Sequence, residues 1–318
     1  MNSLQFLLPL LRCPNCHSRN LVSVANEAGL SCGSCGLTYP ISFKRPVLLK
    51  QDNDVFNVDD YRNSPLFTPN FRKDFSYFIP APSVNLSSER VLKNLRDLLS
   101  ALPSAVVLVV GGGRQRQWLD DRLGASDLIK IIYTDIDVNA DVDLFCDGHD
   151  LPFTDNTFDA VVTTAVLEHV LYPEKVVSEI FRVLKPGGKL YSELPFMQQV
   201  HEGAYDFTRY TLSGHRRLLN GFAEIESGMV AGPGTAMVWT IENFVLAFFR
   251  RPLFRTGAKA MVRLLFFWFK YFDLVLKNRP EAMDGASCTY FFGSKIEGRI
   301  NDVEIIKNYT GAKHLKHT

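Results

Sequence analysis

Four cysteines in the first 35 residues, Cys13, Cys16, Cys32 and Cys35, constrain this chain more than any other feature, through the spacing C-x2-C-x15-C-x2-C. Each pair sits in a turn, CPNC or CGSCG, where proline and glycine let the backbone fold so that two thiolates face one ion. Four thiolates close a tetrahedral site and leave no position open for catalysis, so the expected ion is a structural zinc. A redox C-x-x-C pair is the competing reading, and it leaves the second pair at ribbon spacing unexplained. His17 adjoins one knuckle, is not needed as a ligand, and reads as surface. A unit below roughly 40 residues seldom buries enough to fold unaided, so the metal supplies the missing stability. Cys146 and Cys288 stand alone, which suits a reducing, cytoplasmic setting better than a disulfide framework.

The 318 residues carry a net charge of +1, so no global field points to nucleic acid or acidic lipid. No apolar run reaches the roughly 18 uncharged residues of a spanning helix. The nearest stretches, 241–249 and 261–276, are broken by Glu242 and by Arg263, Lys270 and Asp273. Residues 1–11 lack a basic leader and a small-residue cleavage site, and read as no signal peptide.

Past the ribbon (1–50), residues 51–85 read as a linker packing on the next unit, with Pro65, Pro69, Pro80 and Pro82. A helix is expected from Asn85, capped by Ser87 or Ser88, with Val91, Leu92, Leu95, Leu98 and Leu99 recurring on one face. Alternation follows: AVVLVV (105–110), a helix near 115–123, LIKIIYTD (128–135), FDAVVTTAV (158–166), a helix from Pro173 to Leu184 stopped by the glycines of KPGG, and KLYSELPF (189–196). Strands spaced by helices imply a parallel sheet with helices on both faces. The first strand runs into Gly111 and Gly113, where glycine permits a tight turn and close approach of the backbone to a ligand. Alone this is a weak signal. Asp135 closes the second strand 22 residues past Gly113, the spacing at which an acid meets ribose hydroxyls.

The ribbon, including its ending YPI…PVLL, resembles the short zinc-ribbon proteins that activate methyltransferases, here fused to a catalytic unit. The run CDGHDLPFTDNTFDAVVTTAVLEHV, followed by EIFRVLKPGGKL, resembles the class I S-adenosylmethionine-dependent methyltransferases of the type 11 family over about residues 105–196. The resemblance implies a Rossmann-like α/β fold with a doubly wound, mostly parallel sheet, core residues 86–231, and S-adenosylmethionine as cofactor. It places Gly111 and Gly113 beside the methionine and ribose, Asp135 on the ribose hydroxyls, and Asp147 at the adenine amino group. Gly148 and His149 come beside Asp147, and Thr164 and Ala165 under the cofactor. Two positions depart from the family pattern: Val109 stands where an acid is usual, and Gln115 where a third glycine is usual.

Acceptor chemistry is expected on loops at the carboxyl ends of the strands. Glu168 and His169 follow the third strand and are candidates for direct catalysis, although this pair is largely architectural in many relatives. The loop QVHEGAYDFTRYT (199–211) gathers His201, Glu202, Tyr205, Asp206, Arg209 and Tyr210. His201 is the first choice of general base, with Tyr205, Asp206, Arg209 and Tyr210 as acceptor contacts. The competing reading makes Asp206 and Arg209 an ion pair that holds the loop. Residues 232–285 form an insertion rich in basic and aromatic residues, either a helical cap or an amphipathic membrane-interface segment. A closing strand and tail (286–318) follow.

These features imply methyl transfer to oxygen or nitrogen of a small-molecule, glycan or lipid-linked acceptor, in the cytoplasm or at the inner face of a membrane. RNA base methylation through the ribbon is the alternative. The ribbon's modest charge (Arg12, Arg19, Lys44, Arg45 and Lys50 against Glu27) speaks against it. A non-catalytic scaffold on a degenerate fold would rest on Val109 and Gln115.

Overall fold

The computed structural model describes residues 3–24, 29–63, 79–113 and 115–313. Eleven strands form one sheet, in the order β1-β2-β3-β4-β7-β6-β5-β8-β9-β11-β10. They are β1 Leu21–Ser23, β2 Gly29–Cys32, β3 Thr38–Ser42, β4 Arg45–Leu48, β5 Ala105–Val110, β6 Ile129–Asp135, β7 Leu144–Cys146, β8 Phe158–Thr164, β9 Leu184–Pro195, β10 Phe222–Ala231 and β11 Cys288–Lys295. The helices are α1 Ser3–Leu7, α2 Val58–Asn63, α3 Ser88–Ser100, α4 Arg116–Leu123, α5 Pro173–Val183, α6 Leu212–Leu218, α7 Pro233–Leu246, α8 Pro252–Phe266, α9 Phe272–Leu276 and α10 Asp302–Lys307.

From β4 to β9 every pairing is parallel, and β11 inserts antiparallel between β9 and β10. Parallel strands buried on both faces read as continuous apolar runs, which is what AVVLVV and FDAVVTT are. Two hydrophobic clusters lie on opposite faces of the sheet. One gathers Leu108, Phe158, Val161, Val176 and Ile180, and the other Val91, Leu95, Val107, Leu119 and Val162. Along β5 the alternating residues Leu108 and Val107 supply one cluster each, as the two-residue period of a strand requires. The chain order reverses between β5 and β8, the crevice where a doubly wound sheet binds ligands.

The ribbon is continuous with this sheet. The hairpin β3–β4 turns through Phe43 (φ +50) and Lys44 (φ +66), and β4 then pairs in parallel with β7. Arg12 N donates to the Pro152 carbonyl and Thr154 N to the Leu10 carbonyl, so the segment before the first cysteine clasps the LPF turn. Leu7, Leu11, Leu30 and Cys32 belong to the same cluster as Phe153 and Leu167.

Two local expectations change. Ser87 holds the N-cap position of α3 but its side chain makes no capping bond; Asn85 Oδ1 instead accepts from the Ser87 and Ser88 N–H groups at 3.1 and 2.9 Å. Helix α5 ends at Val183, before the glycines, and KPGG lies inside β9. Phe158 pairs with Leu184 and Ala160 with Lys189, so four residues of β9 (185–188) bulge against Asp159 of β8, with Gly187 at φ +73. Of the 51–85 linker, residues 64–78 (with Pro65 and Pro69) lie outside the described residues, as does the tail at 314–318.

The insertion folds as α7, α8 and α9 joined by a 3-10 turn over Phe267–Tyr271. The two acids within its helical segment 233–279, Glu242 and Asp273, point inward. Asp273 is fully buried and accepts from the N–H groups of Gly232, Gly234 and Thr235 at 3.1, 2.7 and 3.0 Å, satisfying the free donors at the start of α7. Glu242, 2% exposed, takes Arg263 Nε at 2.6 Å. Asp273→Ala should lower unfolding free energy by at least about 1–3 kcal/mol, since it strands buried donors. Denaturant titration checks this, and a change within about 0.5 kcal/mol contradicts the capping role.

Candidate methyl-transfer site and ribbon

Cys13 and Cys32 are buried, Cys16 and Cys35 exposed, and their four sulfurs lie within 4.8 Å of one another. The Cys13–Cys35 and Cys16–Cys32 separations are 3.7 and 3.5 Å. A tetrahedron with bonds of about 2.3 Å needs sulfurs about 3.8 Å apart, so the four thiolates fit one zinc ion. Tyr39 Oη lies 3.0 Å from Cys13 Sγ, an outer contact that orients this ligand. His17 is exposed.

At the carboxyl ends of the central strands, β5 turns at Gly111 (φ +74), whose N–H bonds the Thr134 carbonyl at 2.8 Å. A Cβ at Gly111 would come within 2.3 Å of Val166 Cγ2. The need for glycine at position 113 comes from the protein's own packing: a Cβ there would meet Ala140 Cβ at 2.3 Å and Asp135 Oδ2 at 2.8 Å. Gly113 N donates to that Oδ2 at 3.1 Å, while Oδ1 accepts from the N–H groups of Ile136 and Asp137. Burial pushes the Asp135 carboxyl above its ordinary value against the pull of these three donors. The second oxygen keeps a lone pair for a ligand hydroxyl.

Asp147 follows β7. Its Oδ1 accepts from His149 N at 2.9 Å and from His149 Nδ1 at 2.6 Å. His149 Nε2 accepts the Tyr172 N–H at 3.2 Å, so Nδ1 carries the proton and the ring locks the carboxylate. Burial works against the charged form, yet the hydrogen bonds from His149 hold Asp147 below its ordinary value. Asn53 Nδ2 reaches Asp147 Oδ2 at 2.9 Å. The sequence reading missed Asn53, and a contact across 94 positions leaves no local signal. Gly148 follows Asp147 in a short 3-10 turn.

Thr164 Oγ1 donates to Gln115 Oε1 at 3.2 Å, so the residue at the third-glycine position ties the loop to β8 by its side chain. Ala165 has φ +55, a left-handed backbone unusual for alanine, at the very end of β8. Val109 is fully buried in the hydrophobic cluster with Leu119 and Tyr133, so no carboxylate stands there.

Three residues past Ala165, Glu168 is fully buried, with neither carboxylate oxygen hydrogen-bonded among the described residues. Burial pushes its carboxyl up to about 8. Its backbone oxygen accepts from Phe207 N at 2.8 Å, which draws the 199–211 loop against the end of β8. That loop brings His201 Nε2 to 3.1 Å from His169 Nε2. Asp206 and Arg209 form a bidentate pair, and Arg209 also bonds the carbonyls of Gln198, Gln199 and Thr208. Although partly buried, Asp206 is held well below the ordinary carboxylate range by Arg209. The pair therefore shapes the loop. Tyr205 is exposed and Tyr210 half-buried.

Residues 108–192 match the family described as "Methyltransferase domain", and residues 5–42 match the one described as "Trm112p-like protein". The chain carries a methyltransferase domain joined to a Trm112p-like ribbon. The first match starts in β5 and ends in β9, so it covers every strand that carries the Gly111, Asp135, Asp147 and Thr164 positions. The chain is similar to the ubiquinone/menaquinone biosynthesis C-methyltransferase UbiE of Desulfotalea psychrophila, 50% identical over 44 residues, 14% of this chain and 18% of that protein. The same enzyme of Ruegeria is 30% identical over 109 residues, 28% of this chain and 43% of the relative. The chain thus spans less than half the length of these curated relatives. A solved chain from the complex between the Haloferax volcanii Trm112 methyltransferase activator and a putative methyltransferase is 18% identical. It has a TM-score of 0.40 and covers 67% of this chain and 92% of that one.

Proposed function

We propose that the methyltransferase domain binds S-adenosylmethionine at the carboxyl ends of β5, β6 and β7 and methylates an oxygen or nitrogen of a lipid-linked acceptor. The observation that carries this is the convergence of the Gly111 turn, Asp135 and Asp147 at one end of the matched sheet. When bound, the cofactor supplies an electrophilic methyl group. Asp135 holds the ribose hydroxyls and Asp147, set by His149 and Asn53, the adenine amino group. Gly148, His149, Thr164 and Ala165 border the cofactor. The Glu168–His169–His201 cluster, just past β8 and β9, faces the acceptor and promotes the loss of its proton, with His201 its most exposed member.

The lipid-linked class is supported by the outer face of the insertion, where 12 large apolar side chains between Phe244 and Val275 are 46–80% exposed. The relatives named for ubiquinone and menaquinone biosynthesis are C-methyltransferases, so they bear on the class of the acceptor and not on its oxygen or nitrogen atom. RNA is disfavoured by the fate of the ribbon's cations. Arg45 pairs with Asp141 at 2.7 Å, Lys50 with Asp150 at 2.9 Å and Arg12 with Glu179 at 3.3 Å, so three of five dock the ribbon onto its own chain. No helix among the described residues is long and apolar enough to cross a membrane.

Calorimetry should show S-adenosylmethionine and S-adenosylhomocysteine binding, with Asp135→Ala weakening both about tenfold to a hundredfold through loss of a charged hydrogen bond. Wild-type protein that binds neither at millimolar concentration ends the reading. Radiolabelled methyl transferred to extracted RNA but not to a lipid fraction would overturn the acceptor class.

A further inference from the structure

Glu168, His169 and His201 reach one point from two loops, each offering a ligand atom within 4.8 Å of the others. The ring nitrogens decide what that point needs. His169 Nδ1 lies 2.7 Å from the Tyr205 carbonyl oxygen, which can only accept, so Nδ1 carries the proton and Nε2 presents a lone pair. His201 Nδ1 lies 3.3 Å from the Gln199 carbonyl and 3.5 Å from Asp206 Oδ2, again acceptors only. Its Nε2 is bare as well. The two Nε2 atoms nevertheless face each other across 3.1 Å. Glu168 Oε1 stands 3.6 Å from His169 Nε2 on a side chain that is fully buried and has no hydrogen-bond partner among the described residues. With Glu168 as the carboxylate, three lone pairs converge, and a cation or a shared proton must relieve them.

The geometry points to a divalent transition-metal ion held by Glu168, His169 and His201, with at least one position open to the methyl acceptor. With bonds of about 2.0–2.1 Å, the separations of 3.1 and 3.6 Å subtend roughly 98° and 123°, either side of the tetrahedral angle. Two imidazoles and one carboxylate suit zinc, cobalt, nickel or iron better than magnesium or calcium, which take mostly oxygen. The outer contacts are those that fix ligating histidines: a carbonyl on one Nδ1, a carbonyl and a carboxylate on the other. The donor set contains no sulfur, which separates this centre from the ribbon.

The catalytic meaning of the centre rests on the methyl-transfer reading, whereas its occupancy does not. An ion there would polarise the acceptor's hydroxyl and lower its pKa, so that the proton leaves to water near the exposed edge of His201. The oxygen–carbon bond then forms as the carbon–sulfur bond breaks, and the sulfur keeps the electron pair as a neutral thioether.

Full-length protein with its ribbon zinc in place should take up one further equivalent of cobalt(II). The expected visible bands are those of a nitrogen–oxygen site, without the intense near-ultraviolet bands of cobalt–thiolate bonding. His201→Ala and Glu168→Gln should each weaken that binding by about a hundredfold or more. Glu168→Gln removes the carboxylate ligand while keeping the side chain's shape, so an unchanged melting curve distinguishes ligand loss from misfolding. No additional cobalt in equilibrium dialysis overturns the proposal, as does cobalt bound equally by wild type and both variants. Calorimetry with S-adenosylmethionine on the same samples separates the two readings. Cofactor binding without cobalt uptake sinks the metal centre alone, and cobalt uptake without cofactor binding sinks the methyl-transfer reading alone.

Discussion

Anionic vesicles should carry this protein into the pellet at low ionic strength and release it as salt is raised. The reason lies in how the insertion sorts its charges. Between residues 233 and 279 the only acids are Glu242 and Asp273, and both are buried, on Arg263 and on the start of α7. Arg250, Arg251, Arg255, Lys277 and Arg279 remain exposed, beside Leu253 at 80%, Val275 at 71% and Phe272 at 50% exposure. Trp268 stacks on Phe269 with ring centroids 4.2 Å apart and stays 46% exposed. Each cation near an anionic surface contributes about 1 kcal/mol, and the attraction fades beyond about 10 Å at 0.1 M salt. Four or five together, with aromatic rings entering the acyl boundary, give clear sedimentation. Leu253→Ser with Phe272→Ser should abolish it without loss of fold, because substitutions at exposed positions usually cost about 0.5 kcal/mol or less. Protein that stays in the supernatant at low salt sinks the membrane reading, and with it the main support for a lipid-linked acceptor.

Cys32→Ser should be the most damaging single substitution in the chain. We assign one tightly held zinc to Cys13, Cys16, Cys32 and Cys35, and in small zinc modules metal binding contributes about 10–16 kcal/mol of folding free energy. The loss would not stay local. Cys32 and Leu30 share a hydrophobic cluster with Phe153 and Leu167, and β4 hydrogen-bonds to β7 of the methyltransferase sheet. Losing a few kcal/mol in a domain of this size lowers the melting temperature by roughly 10 °C. Differential scanning calorimetry and metal analysis read both effects. Purified wild type without zinc, its four ribbon cysteines titrating freely under native conditions, would refute the assignment.

Much of the architecture was legible residue by residue. Buried parallel strands need unbroken apolar runs, so AVVLVV and FDAVVTT announced β5 and β8 nearly to the residue. The cysteine spacing carried the ribbon, because two knuckles that share an ion must recur at short range. Gly111 with φ +74, and Asp135 at the end of β6, were readable because a strand-to-helix turn is local geometry.

Elsewhere the chain's own folding decided. KPGG looked like a helix stop, yet it bulges within β9, since glycine serves a turn and a bulge equally and only the pairing with β8 chooses. Asn53 on Asp147, and His201 on His169 across 32 positions, are contacts between distant segments that no period encodes. The insertion shows the limit most clearly. Its composition leaves both a cap and a membrane face open, with the cap slightly favoured, because an amphipathic pattern does not say which side meets protein. Packing placed Glu242, Asp273 and Val262 inside and left Leu253, Trp268 and Val275 outside. Burying a charge is tolerable only where a partner waits, and those partners, Arg263 and the bare N–H groups of α7, exist only once the helices have come together.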